Sequence, residues 1–256
     1  LLHYPAGGLT GMRLQELLDE EGLDHRPFPI EGMIRESLVI LEESTGQQYR
    51  FGMPGPTLKK NEWESFLQKL AAIDPPPDYV VASGSLPPGA LPDFYARVAR
   101  VGKKKGTKTI VDVSGKALKE ALEEGVFLIK PNVREFRELV GEEIKEESQI
   151  KAEAQKMVKS GRCEVLVISL GAAGALAVSE DFVEHIIPPT VPIVSKVGAG
   201  DSMVAGIALS LARGNPLRES VLFGVAAGSA AVMTPGTELC RREDAERLYE
   251  SMISVV

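Results

Sequence analysis

The sequence has few of the residues that mark several common protein classes. Its 256 residues include two cysteines, three histidines and 5% aromatic residues. Cys163 and Cys240 are too few for a disulfide framework and too far apart for the paired spacing of a zinc site, which favours a reducing compartment. The three histidines are scattered, with no second ligand at helical spacing. We therefore assign them no metal or nucleophilic role.

An excess of positive charge and long apolar runs are also lacking. Lysine and arginine total 29 against 36 acidic residues, a formal net charge of −7. This balance disfavours a general nucleic-acid surface, because phosphate backbones are bound by pooled Lys and Arg side chains. No apolar run approaches the roughly 20 residues of a membrane span, and the first residues do not have the pattern of a signal peptide. We expect a soluble, cytoplasmic protein without a nucleic-acid or membrane partner.

The chain is instead rich in alternating strand and helix patterns from Asp78 onward. Four short segments are β-branched and apolar on both faces, as covered parallel strands are: "YVVASG", "TKTIVDVSG", "GVFLIKPN" and "EVLVISLG". Helical periods lie between and after them at 91–105, 115–124, 132–140 and 146–159. The alternation predicts an α/β fold with a doubly wound sheet and with ligands beyond the carboxyl ends of its strands. "SGSLPPG", Asp112, "KPN" and "SLGAAGA" occupy those ends.

The flanking regions follow other patterns. Residues 174–189 predict a meander, and two helices follow at 201–213 and 216–233, the second with Asn215 as its N-cap and Pro216 at its first helical position. Its small residues, "GVAAGSAAV", fit either tight helix packing or the close approach of a flat ligand. Before Asp78 we expect helices at 9–21 and 60–73 and a β-hairpin, at about 31–57, that forms a small lid or a dimer contact.

The stretch "VGAGDSMVAG" combines glycines, a carboxylate and a helix start. Gly198 and Gly200 permit backbone angles at which successive N–H groups converge, and the helix adds the positive end of its dipole. An anion hole is therefore expected here. Asp201 has two interpretations, a helix cap or a general base that takes a proton from an attacking hydroxyl. The sequence contains no GxxxxGK[ST] loop.

Other polar residues also have two interpretations each. Lys130 ends a buried strand, so its ammonium should face an anionic ligand or a carboxylate. Asn132 and Glu135 have the spacing of a capping box, but their place at a strand end also suits Mg²⁺ near nucleotide phosphates. Arg35 and Arg50, expected on the two hairpin strands, suit phosphate or remain solvated surface groups.

With "SGSLPPG", "KPNVRE" and "SLGAAGA" beside it, "VGAGDSMVAG" resembles the signature of the ribokinase-like, B-type phosphofructokinase family of sugar kinases, from about Pro5 to the end. The resemblance implies a three-layer α/β/α ribokinase-like domain over residues 1–256, with the β lid inserted and often used for dimerisation. It implies transfer of the γ-phosphoryl group of ATP to a sugar phosphate, first of all fructose-6-phosphate. Fructose-1-phosphate and tagatose-6-phosphate are the alternatives, and a homodimer is expected.

The resemblance also implies a role for individual residues. Asp201 would be the base and Gly198, Ala199 and Gly200 the anion hole. Substrate contacts would come from Arg35, Arg50 and Ser85, and Glu135 would act at the Mg²⁺ site. The nucleotide would be bound by Lys130, Asn132, Ser169, Leu170, Gly171, Ala172, Ala173, Gly174, Ile193, Val225 and Ser229. A K⁺ ion would be held by groups of Ser195, Val197, Ala231, Thr234, Gly236 and Glu238.

The sequence departs from the family pattern at several positions. Lys196 replaces a usual threonine, and Thr234 and Glu238 replace an asparagine and an arginine, so we expect backbone carbonyls to serve as the K⁺ ligands there. The family's first strand, with its sugar-binding aspartate, and the "GGxxxN" segment do not occur. We therefore expect that the sequence begins partway through a domain. A noncatalytic sensor of nucleotide or sugar phosphate is the alternative of another class, although a sensor would need no base.

Overall fold

The structure is a computed structural model that describes residues 1–141, 144 and 146–254. The chain forms two compact units, Leu1–Ile73 with Leu86–Pro92 and Asp74–Ser85 with Asp93–Val256. Residues 255 and 256, the last two of the predicted domain, lie outside the described residues. In the described part of the chain, no helix combines the length and the apolar character needed to cross a bilayer.

The first unit contains two small sheets and two helices. Its elements are β1 (Leu2–Ala6), α1 (Gly8–Glu20), β2 (His25–Pro29), β3 (Ser37–Glu42), β4 (Gln47–Gly52) and α2 (Lys60–Ala71). Strands β1 and β2 pair in parallel, and β3 and β4 form the predicted antiparallel hairpin. Arg50 lies on β4 as expected, but Arg35 lies two residues before β3 and not on a strand. The extended pairing begins only at Ser37, opposite Gly52.

The second unit contains a six-stranded mixed sheet and seven helices in the described residues. Its elements are β5 (Tyr79–Ser83), α3 (Phe94–Lys104), β6 (Lys108–Asp112), α4 (Gly115–Glu124), β7 (Val126–Ile129), α5 (Val133–Val140), α6 (Glu147–Lys159), β8 (Cys163–Ser169), β9 (Ala175–Val178), β10 (Val183–Ile186), α7 (Ala199–Ala212), α8 (Leu217–Ala231) and α9 (Arg242–Ile253). The strand order is β10-β9-β8-β7-β6-β5. Strands β5 to β8 are parallel, whereas β9 and β10 form the predicted antiparallel meander.

Both faces of this sheet are covered. Alternate strand residues such as Ile110, Leu128 and Val167 pack with Ile207 and Val221 of α7 and α8 in one buried cluster. The residues between them point to the opposite face because side chains alternate along a strand. They are equally buried: Val111, Ile129, Leu166 and Ile168 are each at most 1% exposed. Burial on both faces explains why these strands are continuous apolar runs.

Helices α7 and α8 pack closely through glycine. A Cβ atom on Gly224 would lie 2.4 Å from Ile207 Cγ1, and one on Gly206 would lie 2.9 Å from Ala227 Cβ. The small residues of α8 are therefore explained by helix packing at these positions. Pro216 is the N-cap of α8, since its ψ of 151° is extended, so the predicted start at Asn215 and Pro216 is one residue too early.

Candidate active site

The carboxyl ends of β6 and β7 bring together a buried ion pair. Asp112 is the last residue of β6, and Lys130 directly follows β7. Lys130 Nζ lies 3.4 Å from Asp112 Oδ1, and the two side chains are 8% and 16% exposed. The expectation that Lys130 faces a carboxylate is therefore confirmed. Sequence reasoning singled out Asp112 by position alone and gave it no role.

The surroundings of Asp112 are rich in negative charge. Burial is the main reason that the pKa of this carboxyl lies above its usual value, and Lys130 opposes the rise without cancelling it. The charges of Asp201 and Glu135 raise the pKa of Asp112 further. Lys130 and the carboxyl groups of Asp112, Asp201 and Glu135 are thus close enough for their charges to interact.

The glycine loop adjoins Lys130. Gly198 has a φ of 77°, which is the left-handed conformation, and forms the N-cap of α7. A Cβ atom on Gly200 would lie 3.2 Å from Lys130 Nζ, so the ammonium lies directly beside the first turn of the helix. Glycine at this position leaves room for the lysine. The N-terminal N–H groups of α7 and the Lys130 ammonium together favour an anion.

Asp201 is the third residue of α7, because the helix begins at Ala199 and not at Asp201 as predicted. The Gly198 N-cap supplies no side-chain hydrogen bond, and Asp201 is not the helix cap. Its side chain is exposed, and no described residue forms a hydrogen bond or an ion pair with it. The carboxylate is therefore available to accept a proton.

The segment after Lys130 forms the predicted capping box. Asn132 Oδ1 accepts a hydrogen bond from the Glu135 N–H, and Glu135 Oε2 accepts one from the Asn132 N–H, both at 2.9 Å. The Ser169 N–H donates to the Pro131 carbonyl at 3.0 Å, which joins this segment to the end of β8. The capping bond uses one oxygen of Glu135. The other oxygen remains for a cation or its water.

The predicted nucleotide loop is a tight turn that projects from the sheet. A short 3-10 turn, Gly171–Ala173, follows β8, and the Leu170 N–H donates to the Gly174 carbonyl at 2.7 Å. Gly174 has a φ of 90°, and a Cβ atom there would lie 2.0 Å from the Ile186 carbonyl oxygen. His185 Nε2 lies 2.7 Å from the Ala173 carbonyl. The exposed residues 171–173 are thus held by contacts at their base.

The three remaining residues predicted to bind nucleotide differ in accessibility. Ile193 is 57% exposed, and Ser229 is half-buried with its hydroxyl bonded to the Val225 carbonyl at 2.8 Å. Val225 is 1% exposed and belongs to the hydrophobic core. Its side chain is taken up by packing against α7, which argues against direct contact with a nucleotide. Ile193 and Ser229 remain accessible.

The structure joins the two segments that carry the predicted K⁺ ligands. Ser195 Oγ donates to the Gly236 carbonyl at 2.7 Å and accepts from the Val197 N–H at 3.2 Å. Thr234 Oγ1 lies 2.8 Å from the Ala231 carbonyl and 2.9 Å from the Glu238 carbonyl. The hydroxyl and carbonyl groups among these present oxygen atoms, the ligand atoms preferred by hard cations. The backbone carbonyl of Glu238 accepts the bond from Thr234, whereas the Glu238 carboxylate lies 3.6 Å from the Arg241 guanidinium.

The predicted sugar-phosphate residues belong to different units. Arg35 and Arg50 are exposed residues of the first unit, and Arg35 Cδ would lie 3.8 Å from a Cβ atom on Gly55. Ser85 is an exposed residue of the second unit, two residues after β5. The lid hairpin carries Arg50 on one face together with Val39, while Leu38, Ile40, Tyr49 and Phe51 share the other face.

No group of three or more His, Cys, Asp and Glu side chains in the described ranges 1–141 and 146–254 is arranged to hold a metal ion. The three carboxyl groups of the site can therefore contribute only part of a Mg²⁺ coordination sphere. Mg²⁺ commonly retains waters and takes the remaining ligands from substrate phosphates. The residues present fit that mode of binding.

Curated relatives share most of this chain. An ATP-dependent 6-phosphofructokinase isozyme 2 of Mycobacterium tuberculosis is 44% identical over 247 residues, covering 96% of this chain and 73% of the relative. A protein of the same name from Escherichia coli is 40% identical and is covered to 80%. A 1-phosphofructokinase of Bacillus subtilis is 32% identical over 91% of this chain and 76% of the relative.

Solved structures agree with the fold. Phosphofructokinase-2 of Escherichia coli in complex with potassium has a TM-score of 0.93 and 39% identity, over 98% of this chain and 81% of that one. A tetrameric inhibited form of the same enzyme has a TM-score of 0.90, with 37% identity and the same coverage. A ribokinase of Thermotoga maritima, at 19% identity, has a TM-score of 0.73 over 96% of this chain and 80% of that one, which supports the ribokinase-like fold alone.

The predicted fold and the predicted family are therefore confirmed. The motifs that carried the resemblance lie at the carboxyl ends of β5, β7 and β8 and in the glycine loop at the start of α7. A match to the family covers residues 5–244. The chain belongs to the pfkB family of carbohydrate kinases.

Proposed function

We propose that this protein is an ATP-dependent 6-phosphofructokinase, which converts fructose-6-phosphate and ATP to fructose-1,6-bisphosphate and ADP. The observation that carries the proposal is the position of Asp201, an exposed carboxylate without a described partner, beside a helix N-terminus and the Lys130 ammonium. This pairing of a base with an anion site suits phosphoryl transfer to a hydroxyl group. Relatives of that name at 40% to 44% identity support the choice of substrate.

The transfer needs one base and one anion site. Asp201 takes the proton of the primary hydroxyl at C1 of the sugar as its oxygen bonds to the γ-phosphorus, and the bond to ADP breaks. The N–H groups at Gly198, Ala199 and Gly200 stabilise the negative charge on the transferred group. Lys130, held by Asp112, adds a fixed positive charge. Asn132 and the loop Ser169–Gly174 position the nucleotide.

Two cations belong to the proposal. Mg²⁺, when bound with ATP, neutralises phosphate charge, and Glu135 would orient it directly or through water. The oxygen atoms of Ser195, Val197, Ala231, Thr234, Gly236 and Glu238 would hold K⁺, in line with the potassium complex of the Escherichia coli relative. The Gly236 carbonyl accepts a hydrogen bond from Ser195, three residues before Gly198. A K⁺ ion bound by these groups would therefore make the anion site more rigid.

Three further residues would take part in substrate recognition. Arg35 and Arg50 would bind the sugar phosphate through their guanidinium groups, and Ser85 would contact the sugar. These three roles come from the family resemblance. The cytoplasmic location likewise stays a prediction.

The lid supports a homodimer. Leu38, Ile40, Tyr49 and Phe51 are 44% to 59% exposed, and the register pairs Leu38 with Phe51 and Ile40 with Tyr49 on one face. A two-stranded sheet with an uncovered apolar face is marginally stable in water, so such a face favours a partner. A second copy of the lid would cover it, while Arg50 lies on the other face.

The test is ADP release by the full-length protein with Mg-ATP and K⁺, comparing fructose-6-phosphate, fructose-1-phosphate and tagatose-6-phosphate. We expect a preference for fructose-6-phosphate and a loss of kcat of at least about 10³-fold in Asp201→Asn with ATP binding retained. Asp181→Asn, which changes an exposed carboxylate in the β9–β10 turn, is the matched control. Preference for another sugar phosphate would select the ketose kinase alternative, which the 1-phosphofructokinase relative favours. ATP binding without turnover would select the sensor.

A further inference from the structure

Tyr95 forms a contact at the strand end that carries Ser85. Its side chain is buried, at 7% exposure, on the first turn of α3. The hydroxyl donates to the Gly84 carbonyl at 2.5 Å, and the Ser83 carbonyl lies 3.3 Å away. Burial and the charge of Asp112 raise the pKa of Tyr95 to about 12, so the hydroxyl keeps its proton throughout the physiological range. It therefore remains a donor.

The Gly84 backbone is held from two sides. Its N–H donates to the Asp112 carbonyl of β6 at 3.3 Å, and its C=O accepts from Tyr95 of α3. Gly84 has a φ of 101°, a conformation that other residues rarely adopt. The two bonds thus select one orientation of a backbone segment that is intrinsically free to take several.

The bond to Tyr95 also determines the direction of the next N–H group. The Gly84–Ser85 peptide is trans, since Asp74–Pro75 is the one cis bond in the described residues. In a trans peptide the C=O and N–H groups point in opposite directions. When Tyr95 draws the Gly84 carbonyl inward, the Ser85 N–H points away from α3. The Cα atom of Ser85 belongs to the same peptide plane, so the point from which its side chain starts is fixed as well.

We propose that Tyr95 is a positioning residue for the sugar phosphate, which acts by fixing the Gly84–Ser85 peptide. The inference rests on the proposed function, in which Ser85 contacts the sugar. A residue of α3 would thus influence how tightly the sugar phosphate binds. Substrate affinity therefore depends on a hydroxyl that does not touch the substrate.

Tyr95→Phe tests the proposal because phenylalanine keeps the ring and its contact with Phe94, whose centroid lies 5.5 Å away. Loss of one hydrogen bond should raise the KM for fructose-6-phosphate roughly three- to tenfold. The KM for ATP and the unfolding midpoint should change little, because Gly84 is an exposed residue and water can replace the lost bond to its carbonyl. Tyr79→Phe is the control, at the opposite end of β5, where no described residue is hydrogen-bonded to the hydroxyl.

A second variant tests the route of the effect. Gly84→Ala strains the same peptide without a steric clash, since a Cβ atom there meets nothing within 4 Å. If Tyr95 acts through this peptide, the two substitutions together should raise the KM by less than the product of their separate effects. Independent effects, or equal rises in the KM for ATP and for sugar, would overturn the proposal.

Amide hydrogen exchange separates this inference from the proposed function. Exchange of residues 81–92 should be faster in Tyr95→Phe than in the wild type and in Tyr79→Phe, with no substrate present. Unchanged exchange would show that the Tyr95 hydroxyl does not fix the Gly84–Ser85 peptide, whatever the substrate is. If the wild type phosphorylates none of the three sugars, the proposed function is wrong and the role in sugar binding fails with it. Faster exchange would then show that Tyr95 fixes the Gly84–Ser85 peptide but has no role in sugar binding.

Discussion

The ammonium of Lys130 lies 3.4 Å from Asp112 Oδ1, at the carboxyl ends of two adjacent parallel strands. Both groups are largely buried, and the pair lies against the first turn of the helix that carries Asp201. The geometry of the anion site therefore depends on an ion pair that spans β6 and β7.

Replacement of Lys130 by methionine should destabilise the protein. The Asp112 carboxyl would remain in a buried position without its ammonium partner, and the loss of one partner of a buried pair costs about 3 kcal/mol in the free energy of unfolding. Urea unfolding measures the change. Lys151→Met removes an exposed lysine of the same unit and should change the free energy by less than about 0.5 kcal/mol. Equal effects of the two variants would contradict the structural role of the ion pair.

Replacement of Asp112 by asparagine should alter the pH dependence of stability. The pKa of Asp112 is raised in the folded state above its ordinary value of 3.8. Above pH 3.8 the native state therefore holds this proton more tightly than the unfolded state does, and the contribution of the group to stability declines as pH rises through the folded pKa. In Asp112→Asn this decline is absent. The difference in unfolding free energy between wild type and variant should thus shrink with rising pH, measured by urea titrations from pH 4 upward.

Replacement of two glycines of α7 by alanine should have different effects, one on activity and the other on stability. In Gly200→Ala the new methyl group would lie 3.2 Å from Lys130 Nζ and displace the ammonium, so kcat/KM for ATP should fall roughly tenfold with stability within about 1 kcal/mol. In Gly206→Ala the methyl group would meet Ala227 and the Gly224 backbone at 2.9 and 3.0 Å, which should cost about 1–3 kcal/mol in stability. Activity per folded molecule should survive in the second variant. Steady-state kinetics and thermal unfolding distinguish the two.

Gly174 should resist replacement more than other left-handed glycines. Alanine there would place a methyl group 2.0 Å from the Ile186 carbonyl oxygen, so the turn that holds residues 171–173 must move. We expect a rise in the KM for ATP and a loss of stability of about 3 kcal/mol. Gly161→Ala has a similar φ of 75° but meets nothing within 4 Å, and it should cost about 1 kcal/mol with normal kinetics. A normal KM for ATP in Gly174→Ala would separate this turn from nucleotide binding.

Charge on the apolar lid face should dissociate the dimer. Ile40→Lys would place an ammonium group among Leu38, Tyr49 and Phe51, and its desolvation would oppose association. Sedimentation velocity should show a dimer for the wild type and a monomer for the variant. Leu41→Lys, on the opposite lid face and 53% exposed in its wild-type form, should remain dimeric. A wild type that sediments as a monomer at micromolar concentration would reject the lid interface.

Most of the fold was predictable because its signals are local. The apolar runs of β6 to β8 arise from burial on both faces, and α4 has the predicted bounds of Gly115 and Glu124. Two elements were missed. Strand β2 contains Pro27 and Pro29, which weaken a strand pattern, and its pairing with β1 is a tertiary contact. Helix α9 has a detectable signal, since Ala245, Leu248, Tyr249 and Met252 repeat at helical spacing and face the core.

The site was predictable in kind but not in its contacts. Glycines before a helix indicate an anion site, yet the start of α7 at Ala199 depends on the left-handed Gly198, so the cap interpretation of Asp201 could be rejected only with the structure. Lys130 could be expected to find a carboxylate, but the choice of Asp112 depends on strand register across the sheet. For Val225 the sequence left open whether the side chain packs in the core or contacts the nucleotide. The structure places it in the core.

The division of the chain into two compact units has an evolutionary consequence. Asp201, Lys130 and the glycine loop belong to the unit built on the six-stranded sheet, whereas Arg35 and Arg50 belong to the unit with the lid. Under the proposed function, mutations around the two arginines would alter the choice of sugar phosphate without disturbing the core under Asp201 and Lys130. Related kinases could in this way change their substrate while they keep the same residues for phosphoryl transfer.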